Sequence, residues 1–377
     1  MEQVADAGNF ATTIPVDLIV DILSLLPAKS IIRFQSVSKQ WFSIIRSKYL
    51  VDTFLIRSKT RPHLLLVLEL SKPGKRFLFS VPEHKINDKT STAIARHDMT
   101  RSPSRDVYYF SSLPVNGFVC FTGIISSTGL CNSITVCNPI TRQTVKLPDV
   151  RNKGRKVYEL LGYDPVEDQY KVLCVITCVR YRSVQVDNQQ EHYVCTVSSS
   201  EKQEWRKIEN TSAYIYRHIY PGICIDGVIY YGIEESNIVK FDVRSEKMEL
   251  IKAPEESNSS NLVNYNGRLG GVEFIYYKHE IRLWILEDIE KQQWSSMKFS
   301  YPRELGNHLV SNGVIHTGEL MVFQRSLKEA DIEPFCVYYY DFNKESSRKV
   351  EIQGVETDEK RGTRLCYPGY IENIRFL

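Results

Sequence analysis

The hydrophobic period of this chain changes once, near residue 60. Before that point apolar residues recur at helical spacing. Leu18, Ile19, Ile22, Leu23 and Leu26 fall at i, i+1, i+4, i+5 and i+8, one stripe of a helix with about 3.6 residues per turn. Thr12 or Thr13 can cap this helix, Pro15 suits its first turn and Pro27 stops it. A second short helix is predicted to carry Ile31, Ile32 and Phe34. Ser38 can cap a third, holding Trp41, Phe42, Ile44 and Ile45. Residues 1–12 are polar or small and read as a disordered terminus.

After residue 60 short β-rich runs alternate with polar turns. The runs are Leu64–Leu68, Phe77–Val81, Val107–Phe110, Phe118–Phe121, Val172–Thr177, Ile223–Tyr231, Ile281–Leu286 and Phe335–Phe342. That spacing suits a sandwich, barrel or propeller rather than βαβ units. A repeated unit narrows the choice. A small turn precedes a hydrophobic strand at Asn116-Gly117, Asp226-Gly227, Asn266-Gly267 and Asn312-Gly313, and the last three glycines are 40 and 46 residues apart. Kelch-like blades repeat at about 40–50 residues, so the ~315 residues after the helices would hold roughly six or seven. Trp205, Trp284 and Trp294 sit at repeat positions and read as packing residues. Gly162, Gly227, Gly267 and Gly313 read as turn glycines, and Asn138-Pro139 and Asp164-Pro165 as turn starters.

Composition excludes several classes. Hydrophobic residues make up 42% and charged ones 25%, enough for a sizeable core. The formal net charge of +3 is too small to indicate a nucleic-acid partner. No segment approaches the ~18 apolar residues of a membrane span, and no apolar region follows the polar Met1-Glu2-Gln3, so neither a membrane anchor nor a signal peptide is expected. The nine scattered cysteines read as free thiols in a reducing compartment, which implies an intracellular protein, nuclear and/or cytoplasmic. No Gly-rich phosphate loop, Gly-x-Ser-x-Gly elbow or His-Glu-x-x-His motif is present. Cys174 and Cys178 lack the second pair that a zinc site needs. No catalytic residue, metal or cofactor is therefore assigned.

Two resemblances cover almost the whole chain. The run from Ile14-Pro15 through Asp17-Leu18-Ile19, Asp21-Ile22-Leu23, Leu26-Pro27, Lys29-Ser30-Ile31, Arg33-Phe34 and Val37-Ser38-Lys39 to Trp41 closely resembles the F-box. The remainder resembles the F-box-associated domain of plant F-box proteins. The matching phrases include Asn116-Gly117-Phe118-Val119-Cys120, Cys137-Asn138-Pro139-Ile140-Thr141-Arg142, Leu161-Gly162-Tyr163-Asp164-Pro165 and Phe241-Asp242-Val243-Arg244. The resemblance implies an α plus all-β chain: a three-helix F-box at 13–58, then a β-propeller-like domain at 60–377 that binds a target.

The implied function is a non-catalytic substrate receptor of a Skp–cullin–F-box ubiquitin ligase. It would bind a Skp-type adaptor directly, a cullin through that adaptor, and a protein target, but neither nucleic acid nor membrane. Pro15, Leu18, Ile22, Leu23, Leu26, Pro27, Val37 and Trp41 match positions that face the adaptor or support that face, with Arg33 and Lys39 at a polar rim. Ile19, Ile31, Phe34 and Ile44 read as the module's own core. In the second domain, Tyr214, Tyr216, Arg217, His218 and Tyr220 form a dense aromatic and basic stretch, the chemistry of an interface hot spot. The same alternation suits a buried strand. Two other readings share the sequence: an F-box scaffold acting outside ubiquitination, and a β-propeller enzyme with a helical cap.

Overall fold

The computed structural model describes residues 14–70, 76–83, 90–92, 95–99, 112–124, 130–177, 190–199, 202–209, 215–234, 236–254, 257, 261–301, 309–324, 326–327, 335–355 and 362–377. The expected disordered terminus at 1–12 and the run Val107–Phe110 lie outside them, as do Tyr214 and Cys178. The chain opens with four helices rather than three: α1 (Val16–Leu25), α2 (Ala28–Phe34), α3 (Lys39–Arg46) and α4 (Lys48–Lys59). The fourth buries Leu50, Val51, Phe54 and Ser58, spaced i, i+1, i+4 and i+8. Ser38 and Ser47 cap α3 and α4, accepting from the backbone N–H of Trp41 and Leu50. Pro27 separates α1 from α2 as expected.

Six antiparallel sheets then form the blades of a propeller. Blade one holds His63–Leu70, Arg76–Pro82 and Ala95–Met99, with the C-terminal strand Gly362–Tyr370 beside the first of these and the short strand Ser326–Leu327 at the sheet's edge. Blade two holds Val119–Ile124, Cys131–Asn138 and Gln143–Lys146. Blade three runs from Lys156–Asp164 to Arg206–Ile208, blade four from Ile223–Ile225 to Met248–Lys252, and blade five from Leu262–Tyr265 to Gln293–Ser300. Blade six runs from Leu309–Val310 to Ser346–Gln353, and Thr90–Thr92 joins it in parallel. The run Ile223–Tyr231 is thus two strands, broken at the Asp226-Gly227 turn where both residues take positive φ.

Blade packing explains the continuous apolar runs. Leu64, Leu66 and Leu68 face blade six with Met321, Phe323 and Tyr339. Leu65 and Val67, on the other side of the same strand, face blade two with Val119 and Cys137. A strand buried on both faces has no polar alternation to show. Similar clusters fill the gaps between every other pair of neighbouring blades. Gly162 lies inside a strand, not a turn. A Cβ there would stand 2.6 Å from Val243 Cγ2 and 2.8 Å from Ile229 Cδ1, so the glycine serves close blade contact.

Strand direction sorts the loops into two ends. The turns at Asn116-Gly117, Pro165–Asp168 and Asp226-Gly227 share one end, where the helices enter and the last strand exits. The described residues 215–222, 253–254 and 261, which lie between the outer strand of one blade and the inner strand of the next, are at the opposite end.

Candidate functional site

Helix α1 is apolar on two sides. Leu23 is 1% exposed and packs with Val20, Ile31 and Phe54 in the core of the helical module. On the outer side Leu18 and Ile22 are 52% and 54% exposed, and Leu25 continues the stripe. A helix that is apolar all round is normally covered all round. Of the sixteen large apolar side chains exposed among the described residues, ten belong to residues 14–59, including Val37, Phe42, Tyr49 and Ile56.

The frame behind this face is fixed by polar contacts. Arg57 of α4 donates to the Asp21 carboxylate at 2.8 Å and the Asp21 carbonyl at 2.9 Å. Arg61 donates to the carbonyls of Ser24 at 3.1 Å and Leu25 at 3.2 Å. These carbonyls belong to the last turns of α1, where intrahelical partners run out.

The sequence-derived adaptor set divides accordingly. Pro15, Leu18, Ile22, Pro27, Val37, Arg33 and Lys39 are exposed, and Leu26 is half-buried. Trp41 is half-buried against the module core, its ring 5.7 Å from that of Phe34. Leu23 is buried behind the exposed stripe rather than part of it. Phe34, read as core, is exposed instead. Ile31 is buried as read, and Ile19 and Ile44 pack against the core. Leu25, Phe42 and Tyr49 were missed, because a 3.6-residue stripe marks one apolar side of a helix and does not say that a second exists.

The proposed target-binding stretch also divides. Tyr216 is 2% exposed, and its hydroxyl lies 2.8 Å from His192 Nε2 and 2.7 Å from the Tyr231 hydroxyl. It is a core residue, packed with Ile219 among the side chains between blades three and four. Burial lowers the His192 pKa to about 4, so the ring is neutral, and it raises the Tyr216 and Tyr231 hydroxyls above their ordinary values. Arg217 is exposed and His218 and Tyr220 are half-buried, their rings 4.9 Å apart. His218 Nδ1 lies 3.2 Å from the Tyr158 hydroxyl. Tyr277, 83% exposed in the turn between two blade-five strands, lies at this end too.

Trp205 and Trp294 are packing residues. Trp205 donates to the Pro148 carbonyl at 2.8 Å and Trp294 to the Lys252 carbonyl at 3.0 Å, each joining neighbouring blades. The eight described cysteines are free. Among the described residues no group of three His, Cys, Asp or Glu side chains forms a metal site.

Comparison with known proteins agrees with this division. Residues 12–53 match the F-box domain, and residues 63–372 match the F-box associated beta propeller domain. Arabidopsis thaliana F-box protein At1g30790 is 33% identical, the match covering 97% of this chain and 98% of that one. F-box protein At3g49450 of the same organism is 32% identical over 100% and 95%, and F-box protein At1g53790 is 34% identical over 97% and 82%.

Proposed function

Because the chain belongs to the plant-type F-box proteins that carry an F-box-associated β-propeller, we propose that it is the substrate receptor of a Skp–cullin–F-box ubiquitin ligase. The observation that carries this reading is the outer stripe Leu18–Ile22–Leu25 of α1, apolar and uncovered beside an already complete core. A helical module of this size leaves apolar surface for a partner to bury. Aliphatic and aromatic anchors ringed by charges such as Arg33 and Lys39 suit a stable protein interface.

In this reading the F-box binds a Skp-type adaptor, which links the chain to a cullin. The propeller end away from the F-box holds a protein target, with Arg217, His218 and Tyr220 on its surface. The receptor itself performs no chemistry; it holds a target lysine near the loaded conjugating enzyme and raises effective concentration. The reading places the protein inside the cell, in the nucleus, the cytoplasm or both. Affinity purification with and without proteasome inhibition tests it. The intact chain should recover a Skp-type adaptor, and a target enriched by inhibition. A chain lacking residues 1–50 should keep the target and lose the adaptor. An intact chain that recovers no Skp-type adaptor would overturn the proposal.

A further inference from the structure

The last seven residues form no strand. They leave the C-terminal strand and pass between the propeller and the F-box helices. On the propeller side, Asn138 is fully buried, and its amide nitrogen donates to the carbonyls of Asn373 at 2.8 Å and Arg375 at 3.0 Å. Gln143 pairs with both backbone groups of Leu377, donating at 2.7 Å and accepting at 2.6 Å. Asn373 donates to the Asn116 carbonyl at 2.8 Å. Gly117, at φ +85°, permits this approach, since a Cβ there would lie 2.6 Å from Asn373 Cβ.

On the other side the same residues grip the helices. Ile374 is fully buried within the F-box core, together with Ile140 of the propeller. Arg46 of α3 lies between two rings, 4.7 Å from the centre of Phe42 and 4.0 Å from that of Phe376. The two sides meet at Asp168. Its carboxylate accepts hydrogen bonds from Lys48 of α4, from Arg375 of the tail and, at 2.7 Å, from the Tyr163 hydroxyl. Domains joined by a short linker and a modest interface move relative to one another by default. Here a second connection, remote in sequence from the linker, bridges the same pair.

We propose that residues 371–377 are a strap that fixes the F-box on the propeller in one orientation, anchored at Asp168. Resting on the receptor reading, ubiquitin transfer to a docked target depends on that strap, because it holds the target at a set distance from the adaptor. The test compares the full chain with one ending at Glu372. A second variant, Arg375→Ala, removes the grip on Asp168 but no F-box core residue. Trypsin cleavage at Lys59, in the junction, is followed first. Both variants should be cut faster, the truncation by at least about tenfold, and should show faster hydrogen exchange across Lys48–Lys59. Both should still co-purify with the adaptor while ubiquitinating a bound target poorly. Junction cleavage and exchange unchanged from the full chain in both variants would overturn the strap. Those two readouts need neither adaptor nor target, so a chain that binds no Skp-type adaptor would fail the receptor reading alone.

Discussion

Leu18 and Leu23 share helix α1 and meet opposite surroundings: Leu18 is 52% exposed, and Leu23 is 1% exposed. Their substitutions should therefore fail differently. Leu23→Ala should cost about 2–5 kcal/mol of stability, the range for emptying a buried leucine site. Leu18→Ala should cost under about 1 kcal/mol, as surface changes do. Urea unfolding of the full chain followed by circular dichroism checks both, and equal costs would contradict the burial described here.

The segment 214–220 should split in the same way. Tyr216→Phe removes the hydroxyl that bridges His192 and Tyr231 in the core and leaves the Tyr231 hydroxyl without that partner, at a cost of about 1–3 kcal/mol in urea unfolding. Arg217→Ala, on the surface, should leave stability within about 0.5 kcal/mol of the parent.

His192 ties stability to pH. Its folded pKa is lowered from 6.5 to about 4 by burial, so the unfolded chain binds the proton more readily. The neutral ring's contribution is complete above the unfolded pKa and declines as pH falls from 6.5 towards 4. By pH 5 the loss should be about 2 kcal/mol. The carboxylates of Glu246 and Glu319, held below their ordinary pKa against burial by Arg206 and Lys171 and by Arg348 and Thr317, withdraw stability only at lower pH. Urea midpoints at pH 7, 6 and 5 should fall for the parent and fall less for His192→Gln. Parallel slopes would remove His192 from this role.

Much of this was legible in the chain. The change of period near residue 60 separates the helices from the blades, and the Asp226-Gly227 and Asn266-Gly267 turns mark two blades. Proline positions and Ser38 located helix ends. What was not legible depended on packing partners. Leu23 and Leu18 belong to one stripe by spacing, and only the place of α2 and α4 decides which is covered. Asn138 reads as a turn former, which it is: its Oδ1 accepts from the Ile140 N–H at 2.9 Å. Its amide nitrogen meets Asn373, 235 positions away, which no local pattern signals. Gly162 read as a turn because its need for space comes from Val243 and Ile229 in the neighbouring blade.

At the far end of the propeller, target capture should respond to surface residues alone. Arg217→Ala combined with Tyr277→Ala should weaken recovery of the co-purified target and leave adaptor binding and thermal stability unchanged. Rigid aromatic and arginine side chains lose little entropy on docking and carry a large share of interface energy. Undiminished target recovery by this double variant would move the docking site off these two positions.

The central claim is that the outer stripe of α1 is an adaptor-binding face. The most direct measurement is the affinity of the full chain for a Skp-type adaptor, by calorimetry, for the parent and for Leu18→Asp with Ile22→Asp. Each lost anchor should cost about 2 kcal/mol or more, roughly thirtyfold in Kd. The account predicts that binding by the double variant falls below detection while its circular dichroism and melting temperature match the parent. A folded double variant that binds the adaptor as tightly as the parent would contradict it.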